Sequence, residues 1–190
     1  MRSNRTLFLI EVAVFTALAL LLDVIPFLSF KIWAQGGSIS LAMIPVFILA
    51  FRWGLKGGLL SGFLWGILQV AAGTGYVLTP LQGFIDYALA FTVIGFAGIF
   101  AKQVQKAIQS GQTTVYLTYI TLGVILGSSL RFLAHFAAGV AFFNSAVEGQ
   151  SVWVYSLLYN ISYIIPSLVI SAAVVFLLFH KQPRMLLKTA

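Results

Sequence analysis

Residues 7–28 read LFLIEVAVFTALALLLDVIPFL, an apolar run that is long enough to cross a lipid bilayer as a helix. A spanning helix needs about 20 predominantly apolar residues. Outward along the chain, further apolar runs lie at 38–51, 55–72, 80–101, 115–143 and 152–179, of which the first is short. The sequence therefore predicts an all-α integral membrane protein with six transmembrane helices, built as a single transmembrane domain over residues 1–190.

The composition excludes several classes of protein. Apolar residues make up 61% of the chain and charged residues 8%, whereas a soluble domain carries about a quarter charged residues. The chain has no cysteine, which rules out disulfides and thiolate metal sites. Its net charge of +7 is spread between the apolar runs and forms no basic stripe, so we expect the lipid bilayer and no nucleic acid as a partner. The sequence contains no nucleotide-binding P-loop, and we expect neither ATP hydrolysis by this chain nor a cofactor.

The positive charges predict the orientation in the membrane. If the chain crosses six times, nine lysines and arginines fall on one side: Arg2, Arg5, Arg52, Lys56, Lys102, Lys106, Lys181, Arg184 and Lys188. The opposite loops hold Lys31 and Glu148, and Arg131 lies within the fifth helix. Because positive charge accumulates in cytoplasmic loops, both termini are predicted to be cytoplasmic.

Two alternatives affect this topology. The second run could be a re-entrant segment, but the charge pattern requires it to cross. Arg2, Arg5 and the triplet 17–19 also imitate a signal peptide with its cleavage site. Glu11 interrupts that apolar run, and five remaining helices would break the charge pattern, so six crossings are the preferred interpretation.

Polar side chains from three predicted helices converge in the outer half of the membrane. At about 1.5 Å per residue, Tyr155 lies roughly 5 Å below the outer surface, Asp86 about 10 Å, and His135 and Asn160 about 12 Å. Polar groups at such depth are costly and often functional. Asp86 paired with Arg131 or His135 could instead be a structural ion pair, and this alternative stays open here.

Aromatic residues complete the predicted site. Trp33 and Tyr76 fall in the two outer loops above the polar layer. Aromatic walls with a few placed polar groups are typical of small-molecule sites. These residues and Trp153 could equally belong to the belt of aromatics at the membrane interface.

Small residues recur every four positions on two helices. On the third helix they are Gly54, Gly58, Gly62 and Gly66, and on the first helix they are Ala13 and Ala17. This spacing lets helices approach closely in lipid. We interpret the glycines as packing within the bundle. For the alanines, a contact with a partner protein and packing within the bundle both stay open here.

Six motifs carry a family resemblance over nearly the whole chain: QGGSIS at 35–40, MIP at 43–45, RWGLKGG at 52–58, DY at 86–87, RFLAHFAAG at 131–139 and WVYSLLYN at 153–160. With these motifs, the chain resembles the thiamine-specific S components of energy-coupling factor (ECF) vitamin importers. The resemblance implies a bacterial cell-membrane protein with an outward-facing thiamine site. It also implies a coupling transmembrane subunit and two ATPase subunits that supply the energy in trans.

The resemblance further implies particular residues. Those expected to bind thiamine are Trp33, Tyr76, Asp86, Tyr87, His135, Gly139, Phe142 or Phe143, Tyr155 and Asn160, and those expected to dock the coupling subunit are Ala13 and Ala17. The chain departs from the family in two places. Some members have Glu at position 86, and some have Trp where this chain has Phe142 and Phe143, which leaves open which of the two phenylalanines contacts the ligand.

Three alternatives of function remain at this point. The first is an S component for another vitamin, such as riboflavin. The second is an intramembrane serine protease using Ser128 or Ser129 with His135, although these residues share one helix and lack the Gly-x-Ser-Gly form. The third is a self-sufficient secondary transporter, a class in which internal repeats are common but for which this sequence shows no repeat.

Overall fold

The computed structural model describes residues 2–33 and 36–187, with the side chains of Arg2 and Ser3 excepted. Gln35 and Lys188, which the sequence arguments used, lie outside this range. Six long helices and one β-hairpin form the fold: α1 (Arg2–Val24), β1 (Ser29–Trp33), β2 (Gly36–Ser40), α2 (Met43–Trp53), α3 (Leu55–Ala71), α4 (Pro80–Gln109), α5 (Thr113–Phe142) and α6 (Val152–Lys181). A short 3₁₀ turn, Pro183–Leu186, follows α6. The predicted all-α membrane fold with six helices is confirmed.

The helices differ in how they meet the membrane. In the described part of the chain, α1, α4, α5 and α6 are long and apolar enough to cross a membrane, while α2 and α3 have 11 and 17 residues. Residues 43–51 of α2 are all buried inside the bundle. A helix that is enclosed by protein does not have to match the thickness of the lipid, which explains why the second apolar run is so short.

The β-hairpin corrects two predicted boundaries. The first helix ends at Val24, before the predicted end at residue 28, because Pro26 disfavours helical backbone in the residue before it. The second predicted helix was wrong at its start: residues 38–40 belong to β2, and α2 begins at Met43. Gly36 and Gly37, with φ of 140° and 73°, supply the backbone that the hairpin needs. Trp33, predicted in a loop, ends β1 and pairs with Gly36.

The polar stretch at 103–114, beyond the predicted end of the fourth helix at residue 101, is not a loop over most of its length. α4 continues to Gln109, and α5 begins at Thr113. The segment 101–109 is amphipathic, since Ala101, Val104 and Ala107 are buried while Lys102 and Lys106 are exposed. The polar residues of this stretch therefore extend α4 at the end of the bundle that also holds Arg52.

Contacts around Arg52 bring the predicted cytoplasmic ends together. Its guanidinium binds the carboxylate of Glu11 near the start of α1, and it donates to the carbonyls of Met185 and Leu187 beyond α6. The amide of Gln105, near the end of α4, donates to the carbonyl of Arg52 at 2.9 Å. The start of α1 and the ends of α2, α4 and α6 therefore share one end of the bundle, as six crossings predict.

The glycines of α3 pack inside the bundle. A Cβ atom at Gly62 would collide with the carbonyl of Phe91, and one at Gly66 would collide with the carbonyl of Tyr87. Helices α3 and α4 are therefore in close backbone contact. At this contact, residues 84–89 of α4 form a π-helical turn that contains Asp86, a local distortion that is frequent at functional sites.

Candidate functional site

A cavity of about 560 Å³ lies at the outer end of the bundle, opposite Arg52. Its walls come from the end of α1, the hairpin, the end of α3, the start of α4, the end of α5 and the start of α6. Eight of the residues predicted for the site line it: Tyr76, Asp86, Tyr87, His135, Gly139, Phe143, Tyr155 and Asn160. The fold thus gathers residues from separate helices into one enclosure, of a size typical for small-molecule sites.

Asp86 is held by two donors. Its Oδ1 lies 2.8 Å from Nδ1 of His135, and its Oδ2 accepts a hydrogen bond from Nε2 of Gln82 at 2.6 Å. The amide of Gln82 is itself fixed, because its Oε1 accepts from the backbone N–H of Leu78 and its Nε2 donates to the carbonyl of Tyr76. The carboxylate is therefore presented to the cavity in a defined orientation.

Arg131 acts on Asp86 through His135. Its guanidinium lies 4.6 Å from the ring centroid of Phe91 and 5.3 Å from that of Trp65, and its Nε donates to Nε2 of His135 at 3.3 Å. A guanidinium has donors only, so Nε2 must accept and the imidazole proton sits on Nδ1. His135 is thereby a neutral ring that donates to Asp86. Of the two partners left open by the sequence, His135 is the direct one.

Residues of α6 form a second polar wall. Asn160 accepts from the hydroxyl of Tyr163 at 2.7 Å and donates to the carbonyl of Ser156 at 2.8 Å. The hydroxyl of Ser156 donates to the carbonyl of Phe136 on α5. A Cβ at Gly139 would collide with Ser156, so glycine permits the close approach of α5 and α6 beside the cavity.

The structure separates the two candidate phenylalanines. Helix α5 ends at Phe142, and Phe143 has extended backbone with φ −118° and ψ 153°. Phe143 lines the cavity, and its ring lies 6.3 Å from that of Tyr76. The backbone N–H of Tyr76 donates to the hydroxyl of Tyr87 at 2.5 Å, which ties the loop between α3 and α4 to the same wall. Within the described chain, Phe142 does not border the cavity.

Trp33 also lies outside the lining of the cavity as the structure describes it. Its ring stacks on Tyr159 at 5.3 Å, and its indole N–H donates to the hydroxyl of Ser162 at 2.9 Å. Tyr159 in turn lines the cavity. Trp33 therefore packs against Tyr159 of the aromatic wall without lining the cavity itself. Its hydrogen bond to Ser162 joins the hairpin to α6.

Sequence reasoning missed a polar group on the opposite wall. Asp23, in the last turn of α1, lines the cavity with Ser38, Gln69 and Thr74. The available signal was an aspartate inside the first apolar run, where a charged side chain is expensive. Arg131, Tyr159 and Tyr163, none of which the sequence assigned to ligand binding, also line the cavity.

Ala13 and Ala17 lie on an exposed face of α1, away from the cavity. Their neighbours Val14 and Leu18 are 58% and 40% exposed. This apolar face has the small residues that allow another helix to approach closely.

The fold and the cavity define a multi-pass membrane protein with an internal site of a size suited to a small molecule. Comparison with known proteins specifies the family. A family model described as "Thiamine transporter protein (Thia_YuaJ)" matches residues 9–187. The chain belongs to this thiamine transporter family, which confirms the resemblance drawn from its motifs.

Individual relatives match along nearly their whole length. The thiamine transporter ThiT of Bacillus subtilis is 44% identical over 188 residues, which cover 97% of this chain and 96% of the relative. The thiamine transporter ThiT of Lacticaseibacillus paracasei is 34% identical over 181 residues, covering 93% and 89%. A solved structure of ThiT from Listeria monocytogenes superposes with a TM-score of 0.89 at 32% identity, covering 97% of this chain and all of that one.

Proposed function

We propose that this chain binds thiamine in the outer cavity and carries it across the membrane as a single-domain S component. A coupling transmembrane subunit and two ATPase subunits supply the energy. The observation that carries the proposal is the carboxylate of Asp86, which faces a cavity with aromatic walls and has only uncharged donors as direct partners. The thiamine transporters among the relatives support the same ligand.

The chemistry of thiamine fits the lining residues. Its thiazolium ring is permanently cationic, and cations favour aromatic faces such as Tyr76 and Phe143. Its aminopyrimidine offers donors and ring acceptors that match Asp86, Tyr155 and Asn160. The negative charge of Asp86 complements the cation. Binding requires no covalent step.

The alternatives fit the cavity less well. Riboflavin carries no cationic ring that would use the charge of Asp86. A serine protease needs a nucleophile within hydrogen-bond reach of its base. The hydroxyl of Ser128 instead lies 4.0 Å from the sulfur of Met43, and both ring nitrogens of His135 are engaged by other residues.

The proposed energising partners rest on two features. The sequence has no P-loop, so ATP-driven uptake needs an ATPase on another chain. The exposed Ala13 and Ala17 offer a face on which a helix of a coupling subunit can pack.

Co-purification tests the ligand directly. The chain is purified from cells grown with both thiamine and riboflavin, and the bound small molecule is identified by mass spectrometry. We expect thiamine, and we expect the stripped protein to rebind it. Recovery of riboflavin, or no rebinding of thiamine, contradicts the proposal.

Uptake measurements test the partners. In cells without another thiamine importer, we expect radiolabelled thiamine to accumulate only when coupling and ATPase subunits are expressed with this chain. A variant with an inactive ATPase subunit is the matched control. Accumulation by this chain alone would assign it to the secondary transporters.

A further inference from the structure

A second carboxylate faces the same cavity from another wall. Asp23 lies where α1, the hairpin and α3 meet, whereas Asp86 lies between α4 and α5. The hydroxyl of Ser38 donates to Oδ1 of Asp23 at 3.1 Å, and the amide of Gln69 donates to Oδ2. The amide oxygen of Gln69 accepts from the hydroxyl of Thr74, which orients the amide toward Asp23. Asp23 is thus fixed from the hairpin on one side and from α3 on the other.

The hydrogen bonds of Asp23 leave acceptor capacity toward the cavity. An ionised carboxylate offers about four lone-pair positions, and Ser38 and Gln69 each occupy one. A ligand group that donates a hydrogen bond is therefore favoured at this wall. A ligand group that carries negative charge is disfavoured, because like charges placed together across a binding interface repel.

We infer that Asp23 is a specificity-determining residue. Its carboxylate accepts a hydrogen bond from the hydroxyethyl arm of the ligand and thereby favours the free alcohol over its phosphate ester. The inference rests on the proposed function. With the cationic ring and the aminopyrimidine assigned to Asp86 and its neighbours, the hydroxyethyl arm is the remaining polar group, and Asp23 is the remaining carboxylate on the cavity wall. The alcohol donates a hydrogen bond to the carboxylate of Asp23, whereas a phosphate brings negative charge to it.

Lys31 is the cation that must be weighed against Asp23. It also lines the cavity, but it lies on the exposed strand β1, opposite Ser38. Solvated charges are screened by salt over about 8–10 Å. Asp23 is partly buried and held in place, so its charge acts on a ligand in the cavity with less screening.

The test is the ratio of two dissociation constants, thiamine monophosphate over thiamine, measured on the same detergent-purified protein. The variants are Asp23→Asn, which removes the charge at constant size, and Asp23→Ser, which keeps a small polar group. Glu148→Gln is the matched control, because Glu148 is an exposed acid that does not line the cavity. We expect the wild type to prefer thiamine, and both Asp23 variants to lower the ratio by about fivefold or more. Glu148→Gln should leave it unchanged.

A ratio that stays at the wild-type value in both Asp23 variants overturns the inference, and so does an equal change in Glu148→Gln. A purely structural role of Asp23 predicts the first of these outcomes, because lost stability weakens both ligands alike. Failure of the proposed function is distinguishable: in that case the wild type itself does not bind thiamine. If the wild type binds thiamine and only the ratio fails to respond, the assignment of Asp23 alone is wrong.

Discussion

Two acidic side chains at opposite ends of the bundle have almost the same burial and different surroundings. At the inner end, Glu11 pairs with Arg52 at 2.6 Å, with side-chain exposures of 16% and 12%. At the outer end, Asp86 pairs with His135 at 2.8 Å, with exposures of 14% and 11%. Neither burial nor distance separates the two pairs.

The partners separate them. Arg52 binds both oxygens of Glu11, through Nε at 2.6 Å and a terminal nitrogen at 2.8 Å, and the indole of Trp53 adds a third donor. Bidentate pairing of this kind matches charge with charge. Asp86 receives an amide and a neutral imidazole, so among the described residues no cation contacts its carboxylate directly, and Arg131 reaches it only through His135. The comparison teaches that a buried acid indicates a binding site when its partners leave its charge available to a ligand.

The largest expected effect is on thiamine uptake, and it comes from the exposed Ala13 and Ala17 of α1, which belong to neither acidic pair. We expect Ala13→Trp, and likewise Ala17→Trp, to abolish thiamine uptake while leaving the dissociation constant unchanged, because a bulky ring prevents close helix approach. Uptake in cells and titration of the purified protein measure the two properties. Val169→Trp is the control, since Val169 is 57% exposed on α6. Normal uptake by both alanine variants contradicts docking at this face.

The second prediction concerns stability and the pair of Glu11 and Arg52 at the inner end of the bundle. Glu11→Gln should lower the free energy of unfolding by about 2–3 kcal/mol, because it removes a charged acceptor and leaves Arg52 without its counter-charge. Thermal melting in detergent measures the change, with Glu148→Gln as an exposed control that should melt like the wild type. Thiamine affinity in the folded protein should stay at the wild-type value. A weakened affinity would mean that the inner pair also serves the site.

The smallest effect concerns the aromatic wall at the outer end. Phe143→Trp should tighten thiamine binding by about 0.5–1 kcal/mol, since indole is the better face for a cation. This corresponds to roughly two- to fivefold in the dissociation constant. Titration of Phe142→Trp provides the neighbouring control, which should not change affinity. The reverse pattern would place Phe142 on the ligand.

Hydropathy predicted the membrane class and the number of helices because lipid imposes a length on every spanning helix. The orientation, drawn from the positive charges, stays a prediction. The polar layer was predictable because polar residues are rare and costly within membrane-spanning helices. Asp86, His135 and Asn160 stand out in apolar runs, and their depth follows from the helical rise.

The hairpin could not be predicted from periodicity. Residues 38–40 stand at the start of an apolar run, and only the left-handed backbone at Gly37 and the pairing of Ser29 with Ser40 show that they form a strand. The strand β2 is also bonded to α6, because the hydroxyl of Ser167 donates to the carbonyl of Ser38.

The polar wall around Asp23 depends on tertiary contacts alone. Asp23, Ser38 and Gln69 are spread over α1, the hairpin and α3, and no local pattern brings them together. The choice between Phe142 and Phe143 depends in turn on the residue at which α5 ends. If α5 ended at a neighbouring residue, the side chains of Phe142 and Phe143 would point in other directions.

The most direct test of the contrast between the two acids is Asp86→Asn, measured beside Glu11→Gln for both thiamine affinity and melting temperature. The account predicts at least tenfold weaker binding for Asp86→Asn, since a charged acceptor contributes about 1.5–3 kcal/mol. Its melting temperature should fall less than that of Glu11→Gln, which in turn should keep wild-type affinity. Unchanged affinity with a lowered melting temperature in Asp86→Asn would contradict the account, because Asp86 would then be a structural partner of His135 and not part of the binding site.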